Sequence, residues 1–368
     1  MCGDLRSTMI VDAHADLAWN ALTFGRDYTR AVEETRANEI STDVPSHNGQ
    51  TMLGYPDWVR GRVGIVFATL FAAPRRHKYG DWDTNCYDDA DGARQIFLNS
   101  IDYYDTITQE NSDKFRIISN LEQLETRVAD WEASVDAPAL GLVLSMEGAD
   151  AIRKPHEVHE WHEWGVRIIG LSWSGTSYAG GTKEPGPISP AGYELLDEMA
   201  NLGMILDLSH MSEEGALEAL DRYPGTIIAS HSNPHSRVPS YVPLERNLSD
   251  VTIREIASRG GVIGTVLYNP FLKDGWTPSS GQERVSLTDV AASMDYVCQI
   301  LGNADHVGIG SDFDGGFGLA DAPQDLDSVA DLRLIGNELA RLGYSESDIH
   351  AILCENWLRI LRLGLPGV

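Results

Sequence analysis

Long apolar runs are what this sequence of 368 residues most plainly lacks: no window approaches the roughly 18 apolar residues of a membrane-spanning helix. No basic and apolar leader precedes the first apolar run in residues 1–8, and no hydrophobic anchor closes the chain. The expectation is a soluble, cytoplasmic protein. Cysteine is scarce. The four residues Cys2, Cys86, Cys298 and Cys354 show no C-x-x-C or other ligand spacing, which excludes a disulfide framework and a thiolate metal site. Positive charge is short as well: 28 basic residues stand against 55 acidic ones, for a net charge of −27, and few of the basic residues are Lys. Such a surface repels nucleic acid and anionic membranes. Also missing is a G-x-G-x-x-G after the first apolar run, which removes the dinucleotide-binding form of an open α/β sheet.

What remains is a chain with 42% hydrophobic residues, enough for a sizeable core, and no low-complexity linker. Eight short apolar runs recur along it, at 9–13, 62–71, 139–146, 166–172, 203–209, 226–230, 261–268 and 306–311. Between them lie stretches of 3.6-residue periodicity at 89–110, 119–133, 189–202, 212–222, 249–259, 286–302 and 325–342, several opened by a capping Ser such as Ser212 or Ser249. Near-continuous apolar strands alternating with amphipathic helices predict a parallel sheet covered on both faces. Eight units predict a single (β/α)8 TIM-type barrel of the metal-dependent hydrolase kind, one catalytic domain over residues 1–368.

The first run breaks off at His14 and Asp16, two residues apart, hence on one side of an extended chain. Alone, that pair reads as easily as a strand followed by a solvated turn. The pattern recurs, however: Glu147 ends the third run, His210 follows the fifth, His231 the sixth and Asp312 the eighth. A barrel gathers the C-terminal ends of its strands at one mouth, where catalytic residues sit. Three imidazoles and three carboxylates there suit one or two zinc ions better than Mg²⁺, which prefers oxygen ligands. Two ions need a carboxylate between them, and Glu147, lying in chain order between the His14/Asp16 strand and the two histidine strands, is the natural bridge. Asp312 is left as an acid/base.

Six segments then carry a specific resemblance: Val11-Asp12-Ala13-His14-Ala15-Asp16, Ser145-Met146-Glu147-Gly148-Ala149-Asp150, Leu206-Asp207-Leu208-Ser209-His210, Ala229-Ser230-His231-Ser232-Asn233, Arg246-Asn247-Leu248-Ser249-Asp250 and 307–315. Together they resemble a bacterial-type member of the renal (membrane) dipeptidase family of zinc metallopeptidases, from residue 9 to the Asn356-Trp357-Leu358-Arg359 segment. The resemblance implies two Zn²⁺ ions, one held by His14, Asp16 and Glu147, the other by Glu147, His210 and His231. It also implies attack on the dipeptide carbonyl by a metal-bridging hydroxide, with Asp312 handling the proton and Arg246 holding the substrate carboxylate. Relatives suggest a homodimer.

Two departures stand out. Trp173 follows the fourth run where known members carry a substrate-contacting histidine, and an indole N–H donates one hydrogen bond but carries no charge. In Cys354-Glu355-Asn356-Trp357 relatives often have glycine before the Asn, a departure far from the strand ends. His156, His159 and His162 lack the H-E-x-x-H spacing and fall on an outer helix; His306 starts the eighth strand, and His235 lies on a polar loop. Long segments after strand ends, at 17–60, 72–87, 174–188, 232–248 and 269–285, are expected to shape the site, with 180–187 and 273–276 as its rims. The expected activity is hydrolysis of dipeptides, including those with a D-residue at the C-terminal position. The alternatives are another barrel amidohydrolase acting on N-acyl amino acids, cyclic amides or lactones, and a metal-retaining binding protein.

Overall fold

All eight apolar runs become parallel strands: β1 Ile10–Ala15, β2 Val63–Leu70, β3 Leu140–Glu147, β4 Val166–Gly170, β5 Ile205–Asp207, β6 Ile227–Ile228, β7 Ile263–Thr265 and β8 Val307–Ile309. The computed structural model describes residues 8–133, 138–281 and 284–367, so Cys2 lies outside the described residues. In the sheet the order is β7-β8-β1-β2-β3-β4-β5-β6, every neighbouring pair parallel. A parallel bridge from Ala229 to Ile263 joins the two ends, so the barrel is nearly closed. The strands are buried on both faces, β2 and β3 over their whole length, which is why they read as near-continuous apolar runs.

Helices at Ala90–Glu110, Leu121–Ala133, Pro190–Asn201, Glu213–Arg222, Asp250–Ser258 and Leu287–Leu301 match the periodic stretches to within two residues at either end. Ser189, Ser212 and Ser249 accept hydrogen bonds from the N–H groups three residues on, satisfying orphan donors at the helix starts. The stretch 325–342 departs from expectation: it forms a 3-10 turn at Val329–Leu334, and only then the α-helix Ile335–Arg341. The described Cys86, Cys298 and Cys354 are free and buried. No helix among the described residues is long and apolar enough to cross a membrane.

The C-terminal helix Asn356–Gly364 lies across one end of the barrel. Asn356 Nδ2 donates to the carbonyls of Ala304 and Val307 at 2.7 and 2.8 Å, at the start of β8. Trp357, Leu358 and Leu361 share a core cluster with Val11, Phe67, Val143, Ile168, Ile205 and Ile228, one or more residues from each of six strands. That end is opposite the strand C-termini, and Cys354 sits there, away from the mouth.

The 17–60 segment is less of a loop than its polarity implies. It holds helices Leu17–Phe24, Val32–Glu39, Val44–Asn48 and Tyr55–Gly61. Asp314, beyond β8 and fully buried, fastens this segment to the mouth of the barrel. Its carboxylate accepts from Tyr28 Oη at 2.9 Å, Thr51 Oγ1 at 2.6 Å and the Met52 N–H at 2.9 Å, and pairs with Arg26 at 3.1 Å. A buried charge is tolerable only when its lone pairs are answered in this way.

Candidate metal centre

The geometry at the mouth follows from where each strand stops. His14 is the fifth residue of β1 and Asp16 the first beyond it; Glu147 is the last of β3; His210, His231 and Asp312 each lie three residues past the ends of β5, β6 and β8. The turns needed to aim these side chains inward are unusual. His210 and Asp312 both have left-handed backbones, φ 67° and 61°, which non-glycine residues seldom adopt outside constrained sites. Gly315 is required by proximity: a Cβ there would sit 2.1 Å from Asp312 Oδ1 and 2.9 Å from Asp16 Oδ2.

The donors converge on Glu147. Its Oε1 lies 3.1 Å from His210 Nε2 and 3.4 Å from His231 Nε2, while its Oε2 lies 3.7 Å from His14 Nε2. His14 Nε2 is also 3.7 Å from Asp16 Oδ2 and 3.7 Å from Asp312 Oδ1. Two groups thus have ligand atoms within 4.8 Å of one another: His14, Glu147 and His231, and His14, Asp16 and Asp312. Ligands of one tetrahedral zinc stand about 3.3–3.6 Å apart, given metal–ligand distances of about 2.0–2.2 Å.

Proton placement sharpens the case for a cation. Ser230 Oγ donates to Asp207 Oδ2, so it must accept from His231 Nδ1–H at 2.7 Å, leaving the His231 Nε2 lone pair bare. Thr182 Oγ1 donates to the His210 carbonyl and accepts from His210 Nδ1–H at 3.0 Å, with the same result. The two Nε2 atoms are 2.9 Å apart, both facing Glu147 Oε1. Three lone pairs in that space must be answered by a proton or a metal cation, and burial already holds Glu147 well above the usual carboxylate range. Burial, helped by the charges of Arg246 and His14, holds both imidazoles well below their usual pKa, so neither supplies that proton. Burial alone would also depress His14, but Glu147, Asp16 and Asp312 outweigh it and push His14 up to about 10. Burial pushes Asp312 up to about 7 against the pull of His14. The donor set fits a divalent metal of nitrogen and oxygen preference.

All eight residues singled out from the sequence meet at this site. Asp16, Glu147, Trp173, His210, Arg246 and Asp312 line an open cleft of about 820 Å³, and His14 and His231 lie behind its floor, 2% and 1% exposed. Arg246 is buried over the Phe271 ring at 4.8 Å. Its Nη1 donates to the His231 carbonyl at 3.0 Å, and its Nη2, 3.9 Å from Asp312 Oδ2, has no hydrogen-bond partner. Trp173 packs edge-on against Phe71 at 5.2 Å and forms one wall; Tyr241, Tyr268, Phe271 and Phe317 line the cleft as well. Elsewhere, His159 pairs with Glu198 on the outer surface, and His306 bonds the Gly261 carbonyl at the start of β8.

Several contributors escaped the sequence reading. Asp12, two residues before His14 and on the same side of β1, is fully buried; its carboxylate is pushed up to about 6 by burial, against hydrogen bonds from Ser311. The i, i+2 spacing could have found it. Thr69, at the end of β2, donates to Asp16 Oδ1. Thr182, Asp207 and Ser230 orient the histidines from neighbouring elements, and Tyr79 turns its hydroxyl toward the carboxylates from the loop after β2.

A family model described as membrane dipeptidase (peptidase family M19) matches residues 5–363. The chain belongs to the membrane dipeptidase family. Among relatives, an uncharacterized Klebsiella pneumoniae protein encoded in a pqqA 5′ region is 33% identical over 64% of this chain and 86% of its own length. An uncharacterized dipeptidase of Schizosaccharomyces pombe is 26% identical over 82% of this chain and 69% of its own. Among solved structures, a Rhodobacter sphaeroides metallopeptidase liganded with a phosphinate mimic of L-Ala-D-Ala superposes with a TM-score of 0.78, at 23% identity, covering 97% of this chain and 99% of that one. The membrane dipeptidase fold is therefore shared along essentially the whole chain, and membership makes the protein a hydrolase of the metallo-dipeptidase kind, with a metal cofactor and a dipeptide as substrate.

Proposed function

We propose that residues 1–368 form one catalytic domain, a zinc dipeptidase that holds two ions bridged by Glu147. His14, Asp16 and Glu147 would hold one, and Glu147, His210 and His231 the other. The observation that carries this reading is the split of Glu147: its two oxygens face different nitrogen donors, Oε1 toward His210 and His231, Oε2 toward His14. Zinc is favoured over Mg²⁺ by three imidazoles in the set. When bound, such ions supply a water of lowered pKa, toward about 7, and polarise a carbonyl oxygen.

The chain's own groups do the rest. Arg246 offers its unpaired buried Nη2 to the substrate's C-terminal carboxylate, a match of planar fork to planar anion. That contact sets the scissile carbonyl over the Glu147 cluster. Asp312, reaching the same cleft floor, is the group that takes a proton from the attacking water and returns it to the leaving amine. Trp173 and the aromatic residues around it bound the cleft and exclude water from the reacting bond. A D-residue at the second position is accepted in this reading; the L-Ala-D-Ala mimic bound by the Rhodobacter protein supports it.

A panel of L,L and L,D dipeptides, assayed on zinc-reconstituted protein beside N-acyl amino acids and lactones, tests the proposal. Turnover of dipeptides above the other classes is expected. Turnover confined to N-acyl amino acids or lactones would replace it with the amidohydrolase reading.

A further inference from the structure

The cleft contains a second cation that the dipeptidase reading leaves without a task. Lys183 lines it, and its ammonium lies over the Trp173 ring, 4.7 Å from the centroid. Its backbone is fixed by the turn that carries it: the Thr182 N–H donates to the Trp173 carbonyl at 3.0 Å and the Lys183 N–H to the Ser174 carbonyl at 3.1 Å. The ammonium is therefore presented from a pinned segment, on an aromatic platform that favours a cation.

Three of the chain's five lysines pair with a carboxylate, Lys78 with Asp81 at 2.7 Å, Lys114 with Asp113 at 3.5 Å and Lys273 with Asp289 at 3.0 Å, and Lys154, which makes no ion pair among the described residues, does not line the cleft. Lys183 makes no ion pair among the described residues. The neighbouring Glu184 is already engaged by Arg76 at 2.6 Å and His77 at 2.7 Å, both from the loop after β2. The Lys183 side chain is exposed, and partial desolvation lowers its pKa.

We infer that Lys183, held on Trp173, reads an anionic side chain on the N-terminal residue of the substrate, so that acidic dipeptides are the preferred class. The position follows from the layout of the two cations. Arg246, beside Asp312 and the His231 carbonyl, takes the C-terminal carboxylate, and the scissile carbonyl lies over Glu147. The part of the substrate that continues past His210 toward Trp173 and Lys183 is the first residue. Its α-ammonium, repelled by Lys183, turns away from that cation, and its side chain is left to reach it.

This inference rests on the dipeptidase reading, and the test separates the two. The ratio of kcat/KM for L-glutamyl-L-alanine to that for L-glutaminyl-L-alanine, which differ by the charge alone, is measured on the zinc-loaded enzyme and on Lys183→Met and Lys183→Arg. An exposed charge pair is worth about two- to fivefold, so the wild-type ratio should reach about that value. It should fall to near one in Lys183→Met and persist in Lys183→Arg. A wild-type ratio near one, a ratio unchanged by Lys183→Met, or an acid preference confined to the second residue would overturn the inference while leaving dipeptide hydrolysis standing. Absence of hydrolysis of every dipeptide would remove the dipeptidase reading, and this inference with it.

Discussion

Arg246 offers the sharpest single perturbation, because its two terminal nitrogens have different occupations. Nη1 is held by the His231 carbonyl at 3.0 Å and Nη2 has no partner, in a side chain 4% exposed. Replacement by Met keeps the stem over Phe271 but removes both the charge and the fork. A hydrogen bond to a charged group is worth about 1.5–3 kcal/mol, which is about 10- to 150-fold in kcat/KM. Because the substrate carboxylate would be left desolvated without a counter-ion, the loss should fall toward the upper end of that range. A dipeptide C-terminal amide offers the guanidinium a carbonyl oxygen but no counter-charge, so its loss should stay at the lower end of that range, about tenfold. Arg246→Lys should be intermediate, since one ammonium cannot serve the His231 carbonyl and a bidentate carboxylate together. Steady-state kinetics on matched acid and amide substrates, with metal content measured in parallel, reads the difference directly. Equal losses on the two substrates, at unchanged metal content, would refute a carboxylate-binding Arg246.

Three further outcomes follow from the same geometry. Asp312→Asn should retain metal and lose about two to four decades in kcat, the usual worth of a positioned acid/base; loss of metal in proportion to activity would make Asp312 a ligand instead, a role its 3.7 Å approach to His14 Nε2 makes worth measuring. Ser230→Ala, which breaks the link from Asp207 to His231 Nδ1, should weaken metal binding about 10- to 100-fold without touching a ligand; an unchanged dissociation constant in a metal-buffered titration would count against that orienting role. Protons and cations compete for His14. With its pKa raised to about 10 by the surrounding carboxylates, it is protonated at neutral pH when no metal answers them, so metal uptake must release that proton. Because burial also raises Glu147 and Asp312, affinity should rise at least about tenfold per pH unit between about pH 6 and 9, and calorimetry in buffers of differing ionisation enthalpy should report at least about one proton released at neutral pH; a value of zero would show His14 already neutral.

The barrel was legible because its strands are buried on both faces, so that each announces itself as an apolar run wherever it lies in the chain. β6 is the limiting case, only Ile227–Ile228, yet the run 226–230 marked it. The cluster at the mouth was legible for a related reason: the barrel converts "just past a strand" into "at the mouth", and six of the chain's metal-competent side chains stand just there. What escaped was whatever depends on contacts between distant elements. Asp314 cannot be told from a solvated loop acid without knowing that Tyr28, Thr51 and Arg26 close over it. The helices within 17–60 are short, five to eight residues each, too few turns for a periodic stripe to show in the sequence. Trp173 was visible as a departure, but the ammonium of Lys183 on its ring was not, because a cation ten residues along a turn-rich loop has no fixed direction in sequence.

The central claim is that Glu147 joins two metal ions in the centre that cleaves dipeptides, and counting metal tests it most directly. Wild type and Glu147→Gln are loaded with zinc, freed of loose ions by gel filtration and submitted to elemental analysis beside a dipeptide assay. At an effective dielectric of about 20, one charge about 4 Å away is worth about 4 kcal/mol, close to three decades of affinity, and a direct ligand more. Two equivalents of zinc in the wild type, with both sites weakened and turnover lost in Glu147→Gln, is the predicted result. Retention of two equivalents by Glu147→Gln would contradict the bridging role.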